Sequence, residues 1–172
     1  MPNTKSVGVA FSDPELTAGT TITGAVIDST SKIASNVASG FSEMMQGATI
    51  ATTGNSDVYV IADAAGVLTS ARFSGTDALA ASDTNYITFS ITNLGTAGAG
   101  SAAMLAATDA NTTKTTGGTA LTANALRNLT LNGTAANLVV AAGDRIRARA
   151  AVTGTLANTV TFPVYNLIYT VA

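Results

Sequence analysis

The chain has 172 residues, a formal net charge of −2, no histidine and no cysteine. Without histidine there is no Ser-His-Asp or Cys-His nucleophilic site and no histidine metal site, and the side chain best suited to proton transfer near neutral pH is missing. Without cysteine there are no disulfides or thiolate metal ligands. Charged residues make up only 10% of the chain, against roughly 25% in an average soluble domain. Ala, Thr, Ser, Gly and Asn take their place, so either partners cover much of the surface or a neutral, hydroxyl-rich surface suffices; partners are expected.

The first segment, residues 1–50, reads poorly as strands. Its start, Met1-Pro2-Asn3-Thr4-Lys5, lacks the apolar stretch of a secretory signal, which points to synthesis in the cytoplasm. A helix is predicted after a cap at Ser29, Thr30 or Ser31. Ile33, Val37, Phe41 and Met44 recur at spacings of four, four and three, which would place them on one helical face. Gly40 weakens that helix by about 1 kcal/mol relative to Ala. Such a helix would pack on the body or serve as an arm on a neighbouring subunit; otherwise the segment is extended.

From Ser56 the period changes to two. Val58, Val60 and Ala62 alternate with Asp57, Tyr59, Ile61 and Asp63. Ala65-Gly66 reads as a turn into Val67–Phe73. Asn85–Asn93 is the clearest strand, with Ile87, Phe89 and Ile91 on one face and Tyr86, Thr88, Ser90 and Thr92 on the other. A Gly/Ala loop over residues 95–100, a short apolar piece over 102–107 and a polar loop over 111–118 follow. Strands are expected at 126–131, 138–140, 145–152, 159–162 and 164–171, and Pro163 should mark an edge or bulge because it cannot donate to a ladder. About eight short strands punctuated by turns predict an all-β, jelly-roll-like antiparallel β-sandwich over residues 51–172, with residues 1–50 as an N-terminal arm or short helix. The apolar runs fall far short of the about 18–20 residues of a membrane-spanning helix, so no membrane partner is expected.

Ten carboxylates remain for chemistry. A glycosidase pair would also need aromatic platforms for sugar, yet Trp is absent, and Glu15 and Glu43 lie in the weakly patterned segment. Neither catalysis nor a cofactor is expected. Asp57 and Asp63, and Asp77 and Asp83, flank short stretches and serve turns or bind Ca²⁺; no Asp-x-Asp-x-Asp-Gly loop is present. Arg145, Arg147 and Arg149 alternate with Ile146, Ala148 and Ala150. Residues two apart on a strand share a face, so three guanidiniums form a stripe about 14 Å long. The stripe is either a solvated face with cross-strand partners such as Asp144, or a contact with an acidic partner surface. Three arginines without interleaved aromatics are a weak nucleic-acid footprint, and no nucleic-acid partner is expected.

Three stretches, Ala65-Gly66-Val67-Leu68, Thr84-Asn85-Tyr86-Ile87-Thr88-Phe89 and Leu138-Val139-Val140-Ala141-Ala142-Gly143-Asp144-Arg145-Ile146, give residues 56–172 a likeness to a known group. This part of the chain resembles the decoration (cement) proteins of tailed-bacteriophage capsids and related head-fibre and tail-fibre modules. The resemblance implies a jelly-roll body, often trimeric, on the capsid surface of the virion where subunits of the major capsid protein meet. It also implies an N-terminal segment that grips the shell or a neighbouring subunit. The contacts would fall to Arg145, Arg147, Arg149, Ile33, Val37, Phe41 and Met44. A receptor- or glycan-binding fibre module is the alternative.

Overall fold

The computed structural model describes residues 40–171. The chain divides into two units, Met1–Val37 and Ala38–Ala172, and everything described below belongs to the second. It contains nine strands: β1 (Gly40–Gln46), β2 (Asn55–Ile61), β3 (Gly66–Ser74), β4 (Tyr86–Asn93), β5 (Ala102–Ala103), β6 (Arg127–Leu129), β7 (Val139–Val140), β8 (Arg145–Thr153) and β9 (Val164–Val171). Two short 3-10 turns, Asp109–Asn111 and Ala135–Leu138, complete the regular structure.

All strand pairs are antiparallel, and four of them nest one inside the next. β1 pairs with β9, β2 with β8, β3 with β6, and β4 with β5. Folding this long double ribbon over on itself gives two sheets, β1-β9-β3-β6 and β2-β8-β4-β5, with β7 added to β3. Nested pairing split between two sheets is the wrapping of a jelly roll. The fold is therefore the all-β sandwich that the two-residue period predicts.

Alternation makes the core. Ile87, Phe89 and Ile91 of β4 and Ile146, Ala148 and Ala150 of β8 point inward, as do Ala71 and Phe73 of β3 and Tyr165, Leu167 and Tyr169 of β9. Three rings lock the centre: Phe73 and Phe89 lie 4.6 Å apart, and Tyr165 meets Phe73 edge-on at 5.1 Å, a preferred aromatic geometry. The small inner side chains of β8 leave room for these rings.

The structure corrects the helix expected through residues 33–44. Its described part, Phe41 and Met44, lies in β1, where a spacing of three puts the two on opposite faces. Phe41, Glu43 and Met45 turn inward, and Phe41 stacks on Tyr169 with ring centroids 4.7 Å apart. The contact is tight enough that a Cβ at Gly66 would come within 2.9 Å of the Phe41 ring. Pairing with β9 over seven register partners outweighs the weak helical period. The sandwich thus begins before residue 51. Residues 159–162 form no strand; Val160 makes only an isolated bridge to Ile50. Pro163 precedes the first residue of β9, where its missing N–H costs no ladder bond, and the bulge lies instead between Leu68 and Ser70 of β3.

The hydroxyls of Tyr165 and Tyr169 are buried and have no hydrogen-bond partner among the described residues, and burial pushes both phenols well above their ordinary value. A buried, unsatisfied hydroxyl costs about 1–3 kcal/mol. Tyr165→Phe is therefore expected to hold or raise stability, by up to about 1 kcal/mol, as read from denaturant midpoints. A loss of more than that would mean the hydroxyl is bonded.

Candidate functional site

The outer face of the β2-β8-β4-β5 sheet is built around β8. Register sets Asp57 opposite Arg149, Tyr59 opposite Arg147 and Ile61 opposite Arg145 on the β2 side. On the β4 side it sets Ser90 opposite Arg149 and Thr92 opposite Arg147. The entry to β8 fixes which residues face out. Asp144 turns inward and is buried; its Oδ2 accepts hydrogen bonds from Asn93 Nδ2 and Ala141 N, both at 2.8 Å. Gly143, at φ 86°, makes the turn. With Asp144 held inside, Arg145, Arg147 and Arg149 must all project outward, as the sequence pattern predicts.

Asp144 is thus a turn anchor and not the stripe's counter-ion. That part is played by Asp57. Arg149 donates to it from Nε at 2.6 Å and from Nη2 at 2.7 Å, a bidentate, charge-assisted pair. The hydrogen bond from Arg149 is the main cause holding the Asp57 carboxyl below its ordinary 3.8; partial burial opposes it, and the charges of Arg149 and Arg147 add to it. Arg145 has no carboxylate within ion-pair distance among the described residues; its guanidinium lies over the Tyr59 ring, 4.3 Å from the centroid. Arg147 likewise lacks an ion-pair partner there, and its Nε is buried without a hydrogen bond. Beside them Tyr59 is exposed and Ile61 is 62% exposed. The result is a patch of two guanidiniums outside any ion pair, one aromatic and one aliphatic side chain, and Tyr and Arg are enriched in protein-interface hot spots.

Of the other expected contact residues, Phe41 belongs to the core, whereas Met44 is 73% exposed on the outer side of β1. Ile33 and Val37 lie outside the described residues. Tyr59 and Ile61 join the stripe only through the β2–β8 pairing, which alternation alone does not reveal. Two of the other aspartates tie turns: Asp77 accepts from the Thr161 backbone and hydroxyl, and Asp83 does the same with Thr116. No cluster of three potential metal ligands occurs among the described residues. No helix there is long and apolar enough to cross a membrane.

No protein-family model, no curated protein and no solved structure matches this chain.

Because Asp57 titrates at lower pH in the fold than in the unfolded chain, its pair with Arg149 stabilises the fold wherever the carboxylate is ionised. That stabilisation is lost as pH falls through the depressed value. Asp57→Asn is expected to lower stability by about 1 kcal/mol at neutral pH. Its deficit relative to the parent chain should shrink toward zero below about pH 4. Thermal melts of both chains across pH test this, and a deficit independent of pH would exclude the ion pair as its source.

Proposed function

We propose that this chain is a non-catalytic structural protein of a phage virion, one that decorates and stabilises the capsid by binding across capsid subunit junctions. The observation that carries this reading is the patch of Arg145, Arg147, Tyr59 and Ile61. It places two cations without partners on an otherwise charge-poor face. Such a patch suits a protein surface that presents carboxylates, since complementary charge gives register and rate while the buried centre gives affinity. A decoration protein that binds the assembled shell, but not its separated subunits, stabilises the shell by mass action. The jelly-roll body and the resemblance of residues 56–172 to cement proteins agree with this reading, as does a low charge content, which suits surface covered in an assembly. The major capsid protein is the partner, and a homotrimer is the assembling unit.

The test is occupancy on purified undecorated capsids of the parent particle, measured by sedimentation. Arg145→Ala combined with Arg147→Ala is expected to weaken binding roughly tenfold or more, and the parent chain should lose occupancy as salt screens the contact. Arg149→Ala removes a guanidinium already neutralised by Asp57 and is expected to change binding less. Equal occupancy for all variants at moderate salt would remove the patch from the interface. Mass measurement of the free protein tests the trimer.

A further inference from the structure

Backbone strain gathers at one end of the sandwich. Among the described residues only two besides glycines take a positive φ, Phe162 at 47° and Asn124 at 58°. For a side chain as bulky as phenylalanine this is an outlier, and the following Pro163 narrows its backbone choices further toward extended conformations. The two strained segments meet on Gly75. Its carbonyl accepts from Asn124 N at 2.8 Å, and a Cβ placed there would come within 3.6 Å of the Thr161 carbonyl oxygen. Hydrogen bonds on either side hold Phe162 in place. Thr161 donates to Asp77 Oδ2 from its N–H at 2.7 Å and from its hydroxyl, and its carbonyl accepts from Thr76 N at 3.0 Å. On the other side the Pro163 carbonyl accepts from Gly47 N at 2.8 Å. Val160 and Pro163 are buried, while Phe162 between them is 63% exposed. Strain persists where the surroundings over-determine it, and it clusters at sites that grip a ligand. Here the effect is to stand an aromatic ring in solvent.

Beside this knob opens a pocket of about 310 Å³. Gly75, Phe73, Ala120, Leu121, Leu126 and Arg127 are among its lining, and Phe162 of the same chain is not. Leu126 is 61% exposed at the pocket. Arg127 donates to the carbonyls of Ala110, Thr112 and Thr119, but its Nε makes no hydrogen bond and no carboxylate lies within ion-pair distance among the described residues. The knob carries the opposite charge. Asp77 is bonded through Oδ2 alone, which leaves Oδ1 free and the carboxylate outside any ion pair among the described residues.

We infer that Phe162 of one copy seats in this pocket of a second copy, and that this contact joins the subunits of the homotrimer, a count that rests on the proposed function. Three features select a second copy of the chain as the occupant. Knob and pocket lie side by side on one molecule, so the patch complements itself. The pocket has room for one phenyl ring, with apolar walls from Phe73, Leu121 and Leu126 and a cation, Arg127, to meet the ring. Seating the knob also brings Asp77 toward Arg127 of the receiving copy, and each chain leaves that carboxylate and that guanidinium without a counter-ion. No residue of the capsid-docking patch lines the pocket, so assembly and docking use different surfaces.

The test is analytical ultracentrifugation of the free full chain over a range of concentrations, with the parent expected to sediment as three copies. Phe162→Gly places at this position the residue that tolerates a positive φ. Its circular dichroism is expected to match the parent, while association weakens at least tenfold. Ala120→Trp, at an exposed position of the lining, fills the pocket from within its own chain and is expected to weaken association as much. Mixed in equal amounts, the two variants are expected to form a one-to-one pair, because one keeps the pocket and the other keeps the knob. A purely structural role for either residue gives no such rescue. A parent chain that stays monomeric, either variant associating like the parent, or a mixture without the pair would each overturn the assignment. A parent of two copies with the same behaviour of the variants supports the knob contact and overturns the trimer alone. Loss of capsid binding with assembly intact overturns the docking reading alone.

Discussion

A slip of one residue in β8 would turn Arg145, Arg147 and Arg149 into the core and Ile146, Ala148 and Ala150 into solvent. The side-chain period of a strand is two, so no intermediate register exists. Burying even one unpaired guanidinium costs several kcal/mol, so this register is held more firmly than that of any strand with neutral outer residues. Its neighbours follow from it. β2 and β4 pair with β8 over most of their lengths, and the rings of Phe73, Phe89 and Tyr165 fill the depth that Ala148 and Ala150 leave. The inward clasp of Asp144 on Asn93 and Ala141 starts the count at the right residue. The stripe of arginines is thus also the element that fixes the sheet.

Much of this was legible in the residues. Alternation at Val58–Ile61 and Tyr86–Thr92 and through the arginines placed inner and outer faces correctly because both faces differ in polarity there. β1 was not legible. Gly-Phe-Ser-Glu-Met-Met-Gln carries a buried Glu43 among its inward residues, so period two is masked, while Phe41 and Met44 happen to fit a helical spacing. Only its pairing with β9, more than a hundred residues away, settles the conformation. The same blindness applies to the site. The sequence showed three arginines in a row of equals, whereas register pairs one with Asp57 and lays another over Tyr59, and no local pattern announces either event.

Low charge gives these pairings their weight. Among the described residues Asp57 neutralises Arg149 and Asp109 neutralises Lys114, and Arg127 is committed to backbone carbonyls at the end of the sandwich. Arg145 and Arg147 are left as neighbouring cations on one face, with Arg72 on the other sheet. On a heavily charged surface two arginines would be lost among many. On a surface of Ser, Thr and Ala they dominate the local field within a Debye length of about 8–10 Å.

That arrangement also divides the outer face of one sheet into two halves. Toward β2, the cations stand beside exposed Tyr59 and Ile61, which favour a large dry contact with protein. Toward β4, the outer row becomes the hydroxyl side chains of Thr88, Ser90 and Thr92. Arg147 stands on the boundary. Its neighbours are Tyr59 on one side and Thr92 on the other, and its one buried nitrogen lacks a partner in either direction. Arg145 instead lays its guanidinium over the Tyr59 ring, 4.3 Å from the centroid, so the two arginines are not equivalent despite identical chemistry and alternate places on one strand.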